Sequence, residues 1–153
     1  LQALSEAMKE RFPRKRSTRL KTEGAFHTYH MVEAAKRFRA VLDANAFAEP
    51  NIQVCSNYSG EFHDSTAASI RSRLFMQLFN PVLWVNNLNH VVDQGVDLII
   101  EFGGGIGKGE TAAEKRPNLE GIIKKTFRRH ESPPEHMAII NLATLENTLS
   151  RLA

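Results

Sequence analysis

The sequence predicts an α/β domain with mostly parallel strands. Short apolar or β-branched segments alternate with segments of helical periodicity. The helical segments are long enough to cross over between parallel strands. Val96 to Glu101 is a near-continuous apolar run, the pattern of a strand covered on both faces.

Each element has a local reason. Leu1, Leu4, Ala7 and Met8 recur at helical spacing, so residues 2–11 read as a helix that stops before Pro13. Residues 17–22 are short, basic and β-branched and read as a strand, broken by Gly24. Thr28 is placed to cap a helix running to about Asn45, with Met31, Val32, Ala35, Phe38, Val41 and Leu42 on its inner face. Ile52 to Ser56 reads as a strand, and Asn57 to Asp64 as turn. A helix from about Ser65 lines up Ile70, Leu74, Phe75 and Leu78. Pro81 interrupts it, and a second helix covers Val82 to Gln94, stopped by Gly95. After the 96–101 strand and a glycine-rich loop, Leu119 to Phe127 reads as a short helix. Pro133 and Pro134 mark a boundary. Met137 to Leu142 reads as a last strand, and Thr144 to Leu152 as a last helix with Leu145, Leu149 and Leu152 aligned.

The chain has 153 residues, which suits one domain. With 42% hydrophobic and 24% charged residues it is an ordinary globular sequence rather than a disordered one. No apolar run approaches the ~18 residues needed to span a bilayer. A single cysteine, Cys55, cannot form an internal disulfide, and a reducing, cytoplasmic setting is the simplest reading. The chain starts at Leu1 without an initiator methionine or a signal-peptide pattern, so it reads as part of something longer.

Positive charge is clustered although the net charge is only +3. Lys9, Arg11, Arg14, Lys15, Arg16, Arg19 and Lys21 form one cluster, and Lys124, Lys125, Arg128 and Arg129 another. Such clusters attract anionic partners, although most charge runs are simply solvated faces.

His27 follows Phe26 in a small-residue turn before a long helix. A histidine titrates near neutrality, so it can take a proton from a hydroxyl and return it to a leaving group. By spacing alone, a lone loop histidine is more often structural. His30 lies three residues on. A His-x-x-His pair without further Cys, Asp or Glu is a poor zinc pattern, and His30 reads as a helix-surface residue. Glu101 to Gly109 invites a phosphate-loop reading and fails it: Phe102 stands where the first glycine belongs, and Gly109 where Ser or Thr belongs. A structural turn is the better reading. Asn57, ending Cys55-Ser56-Asn57, is a turn asparagine by the same logic.

Three segments taken together are more specific: Gly24-Ala25-Phe26-His27-Thr28, Gln77-Leu78-Phe79-Asn80-Pro81-Val82-Leu83-Trp84, and Glu101-Phe102-Gly103-Gly104-Gly105. Their order and spacing resemble the C-terminal part of malonyl-CoA:acyl carrier protein transacylases and polyketide synthase acyltransferases. There the first segment ends in Phe-His, often followed by Ser and, a little later, Met; Thr28 and Met31 take those places here. The second carries Gln-Leu, two residues, then Pro-Val and Trp. The third carries Glu, an apolar residue and Gly-Pro-Gly, with Gly104 here replacing the proline. The resemblance covers roughly residues 1–130, about the last two-fifths of a family member.

The resemblance implies a fold: the C-terminal half of an α/β-hydrolase-like core, a parallel sheet flanked by helices, with the end of a small ferredoxin-like subdomain. Residues 1–22 would end that subdomain, 23–131 would form the core half, and 132–153 a strand–helix extension. It implies His27 as general base, with the Gln77 backbone carbonyl accepting from its other ring nitrogen, and Phe26, Met31 and Asn57 at the substrate. Phe before the histidine goes with malonyl among polyketide acyltransferases; Gly24 departs from the usual His of that motif. The implied substrates are malonyl-CoA, a coenzyme A thioester, and an acyl carrier protein. The resemblance implies no bound cofactor, no metal, no nucleic acid and no membrane. The family's nucleophile is the serine of Gly-x-Ser-x-Gly, a pentapeptide this sequence lacks. An N-terminal half is therefore expected to supply it and to cover the open sheet edge. An acyl hydrolase of the same fold, or a non-catalytic carrier-docking half, is the alternative.

Overall fold

The computed structural model describes residues 2–16, 18, 22–109 and 111–153. Helix α1 spans Gln2–Arg11, as its apolar spacing predicts. It buries none of its residues, so the stripe bearing Leu4 and Met8 faces solvent. The strand expected over 17–22 rests mainly on positions 17 and 19–21, which lie outside the described residues.

A short 3₁₀ turn, Tyr29–Met31, leads into α2, Val32–Ala44. Thr28 does not cap this helix. Its hydroxyl donates to the Ala25 carbonyl at 2.7 Å, and Met31 holds the N-cap position without a side-chain bond. The 3₁₀ turn takes up the residues that the apolar pattern assigns to the first α-turn. Of the expected inner face, Ala35 and Leu42 are buried, seven residues apart on one stripe. Phe38 and Val41 stay exposed, because α2 packs on the described chain along one narrow seam against α3, Ala67–Gln77.

Between those helices β1, Cys55–Ser56, pairs antiparallel with β2, Glu61–Phe62. The strand predicted over 52–56 is therefore shorter, and the 57–64 stretch contains a strand that sequence reading missed. Two residues are too few to show an alternating pattern. Gly60 lies between them at φ +74°, and a Cβ there would fall 2.6 Å from that of Asn86. This turn needs glycine both for its backbone angle and for its close approach to the helix that carries Asn86. Arg73 of α3 clamps the hairpin, donating to the Ser59 hydroxyl, the Phe62 carbonyl and the Asp64 carboxylate.

Thr66 caps α3 through the Ser69 amide. Helix α4 runs Trp84–Asp93, and Gly95 at φ +90° ends it, its amide donating to Val92. Strand β3, Leu98–Phe102, pairs in parallel with β4, Glu135–Ile139, in the register Leu98 to Glu135 through Phe102 to Ile139. The parallel expectation holds for this sheet. The last strand starts earlier than the predicted Met137, just after Pro134. Ile140 and Asn141 instead serve α6, Leu142–Leu152, whose capping box joins Asn141 and Thr144.

Two expectations about burial fail. β3 is half-buried at Leu98, Ile99 and Ile100, buried at Glu101 and exposed at Phe102, since β4 is its only described neighbour and the core lies to one side. That core is Leu88 of α4 with Ile123 of α5, Glu120–Thr126, and its C-cap Phe127, packed by Trp84, Val92, Ile99 and Leu119. On α6 the residue driven inward is Thr148, 1% exposed, while Leu149 and Leu152 face outward. Its hydroxyl returns to the Thr144 carbonyl at 2.8 Å, so the polar group is satisfied within the helix. Among the described residues, no helix is long and apolar enough to cross a membrane.

Candidate active site

The site begins with the way α3 ends. The last carbonyls of a helix lack partners within it. Asn80 and Pro81 stop α3 at Gln77, and the Asn80 amide caps the Met76 carbonyl at 2.7 Å. The next two carbonyls are taken by one residue from fifty positions earlier. His27 donates its backbone N–H to Leu78 at 3.1 Å, and its ring Nδ1 lies 2.9 Å from the Gln77 carbonyl. The imidazole is thus fixed at both main chain and ring on the end of a helix.

His27 also adopts φ +63°, the one non-glycine residue in this region among those described. Histidine enters it more readily than most residues, at a cost on the order of 1 kcal/mol. The two bonds to α3 hold it there. The ring is exposed, and Nε2 is on the edge away from the Gln77 carbonyl. An exposed imidazole with one nitrogen anchored and the other on the far edge of the ring suits proton transfer.

Phe26 is 52% exposed and stands beside the histidine in sequence. Its ring lies over Gly24, where a Cβ would come within 3.4 Å. The residue at position 24 therefore sets the room beneath Phe26. Met31 is half-buried at the start of α2, its amide donating to Thr28. Asn57 is engaged elsewhere: its carbonyl accepts from Leu83, and its Oδ1 accepts from Asn87 at 2.9 Å. Those bonds tie the hairpin to α4 and do not involve His27. His30 is exposed, stacked on Tyr29 with ring centroids 4.0 Å apart. Among the described residues no cluster of His, Cys, Asp or Glu is placed to hold a metal ion.

The glycine loop packs against its own chain. Gly105, at φ +68°, would place a Cβ 2.8 Å from that of Lys115, and Ile106 bridges to Arg116. Behind this loop is a pair that sequence reasoning missed. Glu101 is 7% exposed and accepts from the Asn118 and Leu119 amides at 2.6 and 3.0 Å. Its other oxygen is 3.1 Å from Nε2 of His136. The two residues lie 35 positions apart, and only the β3–β4 pairing brings them together. Leu78 was missed as well, although Pro81 signals where its carbonyl becomes available.

No family model matches the chain. The malonyl CoA-acyl carrier protein transacylase of Bacillus subtilis is 30% identical over 138 residues, 90% of this chain and 38% of that protein. The structure of malonyl CoA-acyl carrier protein transacylase from Clostridium perfringens has a TM-score of 0.74 at 28% identity, covering 99% of this chain and 42% of that one. A malonyl-transacylase in complex with its type II polyketide synthase acyl carrier protein has a TM-score of 0.76 at 25% identity, covering 98% and 43%. The chain spans about two-fifths of the length of these proteins. In sequence and in fold, it is a relative of the malonyl-CoA:acyl carrier protein transacylases over that portion.

Proposed function

We propose that this chain supplies the general-base half of an acyltransferase that moves a malonyl or similar acyl group from coenzyme A to the phosphopantetheine thiol of an acyl carrier protein. The observation that supports it is His27, strained, exposed and anchored through Nδ1 and its own amide to the end of α3. The nucleophilic serine comes from the part of the relatives that this chain does not span. Residues 1–22 end a small subdomain, 23–131 form part of the catalytic core, and 132–153 complete it with a strand and a helix.

In the first half-reaction, Nε2 of His27 takes the serine proton as Oγ attacks the thioester carbonyl. The coenzyme A sulfur leaves with that proton, and an acyl-serine ester remains. In the second, His27 takes the proton of the carrier thiol, sulfur attacks the ester, and serine recovers its proton. Throughout, the Gln77 carbonyl does what a triad carboxylate does: it holds the ring tautomer and orientation. Phe26 walls the acyl site and favours malonyl, and Met31 lies beside it. Asn57 contributes by fixing the hairpin against α4.

Labelled malonyl-CoA tests this reading. Residues 1–153 alone should take up no covalent label, whereas the complete enzyme should. In the complete enzyme His27→Ala should slow turnover by about 10²–10⁴-fold, and His30→Ala should stay within about threefold, as surface substitutions usually do. Equal behaviour of the two variants, or a stable adduct on the isolated chain, would refute it.

A further inference from the structure

We infer that the side-chain amide of Gln77 turns its oxygen toward His27, so that the ring Nδ1–H is shared by two oxygens of one residue. The functional consequence rests on reading His27 as the general base; the geometry does not.

Two groups of Gln77 approach the same ring atom. The main-chain carbonyl is 2.9 Å from Nδ1, and the amide atom placed as Nε2 is 3.1 Å from it. A carbonyl can only accept, so the shorter contact requires a proton on Nδ1. With that proton present, an amide NH₂ at 3.1 Å sets donor against donor. With it absent, the NH₂ is satisfied, but the bare Nδ1 lone pair faces a carbonyl oxygen at 2.9 Å. Neither tautomer satisfies both contacts.

A half-turn of the amide resolves the conflict. Its N and O ends are nearly the same size, and which is which follows from the hydrogen bonds around them. Oε1 is now buried without a partner among the described residues. The turn therefore gives up no existing bond at that end, where the NH₂ takes the oxygen's unpartnered place. At the other end it replaces a clash with a second acceptor. Nδ1–H then lies between the Gln77 carbonyl and Oε1, leaving the Nε2 lone pair free for a hydroxyl or thiol proton. When that proton arrives, the imidazolium retains both oxygens. A neutral residue thus presents two acceptors, as a carboxylate would, without adding a charge. Gln77 is a positioning residue through its side chain as well as its backbone, so substitution there is not silent.

Long-range ¹⁵N–¹H correlation spectra of histidine-labelled complete enzyme, taken where the ring is neutral, read the tautomer directly. His27 should show a protonated Nδ1 and an unprotonated Nε2. Gln77→Met keeps the backbone carbonyl and removes the second oxygen. It should give mixed tautomers and lower kcat by about tenfold, the usual scale for one lost hydrogen bond, with KM for malonyl-CoA within about twofold. Gln77→Glu, which can only accept, should keep the Nδ1–H signature and turn over faster than the Met variant. A wild-type Nε2–H tautomer would overturn the inference. So would a Met variant with unchanged tautomer and kcat, or a Glu variant that loses the Nδ1–H signature. If the Met variant does not fold, the wild-type and Glu spectra decide. Failure of the general-base reading would show separately, as full turnover by His27→Ala.

Discussion

Replacing Glu101 by glutamine changes one atom of a buried carboxylate and should unfasten three parts of the fold. One oxygen accepts the Asn118 and Leu119 amides at the entrance to α5, and the other faces His136 on β4. Hydrogen bonds to a charged group contribute about 1.5–3 kcal/mol and neutral ones about 0.5–1.5. Neutralising the acceptor therefore costs about 1 kcal/mol for each bond, or about 2–3 kcal/mol over two or three of them. Against a domain stability of about 5–15 kcal/mol, that is a large fraction. Urea unfolding of the complete enzyme measures the global loss. Hydrogen exchange at the amides of residues 118 and 119 measures the local one, and both should rise together. A loss under about 0.5 kcal/mol with unchanged exchange at those amides would show that the pair is not holding α5 to the sheet. Glu101→Leu, which removes both acceptors, should cost more than the glutamine; the reverse order would refute the reasoning equally.

Two further predictions address the surface and the pH response. Lys9, Lys15 and Arg16 line an open cleft beside α1 together with Ser5, Met8, Pro13 and Thr18. Reversing Arg14 and Lys15 to glutamate should raise KM for carrier protein at low salt, leave KM for malonyl-CoA nearly unchanged, and fade as salt screens the charge. Equal effects on both substrates would return the cluster to a solvated face. Burial, followed by the charge of Arg73, lowers the pKa of His63 below its ordinary 6.5. As pH falls through about 6.5 the unfolded chain binds a proton that the folded chain resists, so stability should drop below that pH. Melting temperatures of wild type and His63→Gln from pH 7.5 to 5 should diverge, with the variant losing less; parallel curves would remove His63 from the cause.

Local rules made much of this chain readable. The Pro13 and Gly95 stops, the helix over Gln2–Arg11 and a strand within a residue or two of Leu98–Phe102 follow from spacing and backbone chemistry within a few residues. Thr28 misled for a local reason too: its hydroxyl has a competing carbonyl three residues back, at Ala25. Resemblance, not periodicity, singled out His27 and Gln77.

Sequence by itself determined most of the helices, the β3 strand and the interruption after α3 at Pro81, because those depend on neighbours within a turn or two. Tertiary structure decided which faces are inside. Phe38, Val41, Leu149 and Leu152 satisfy an amphipathic pattern yet remain exposed, because burial needs a partner surface and not only periodicity. It also decided the long-range polar contacts. The two Gln77 groups on one ring nitrogen and the Glu101–His136 pair join residues 50 and 35 positions apart. Hydrogen bonds act over about 3 Å and require direction, so such pairs exist only once packing has brought their elements together.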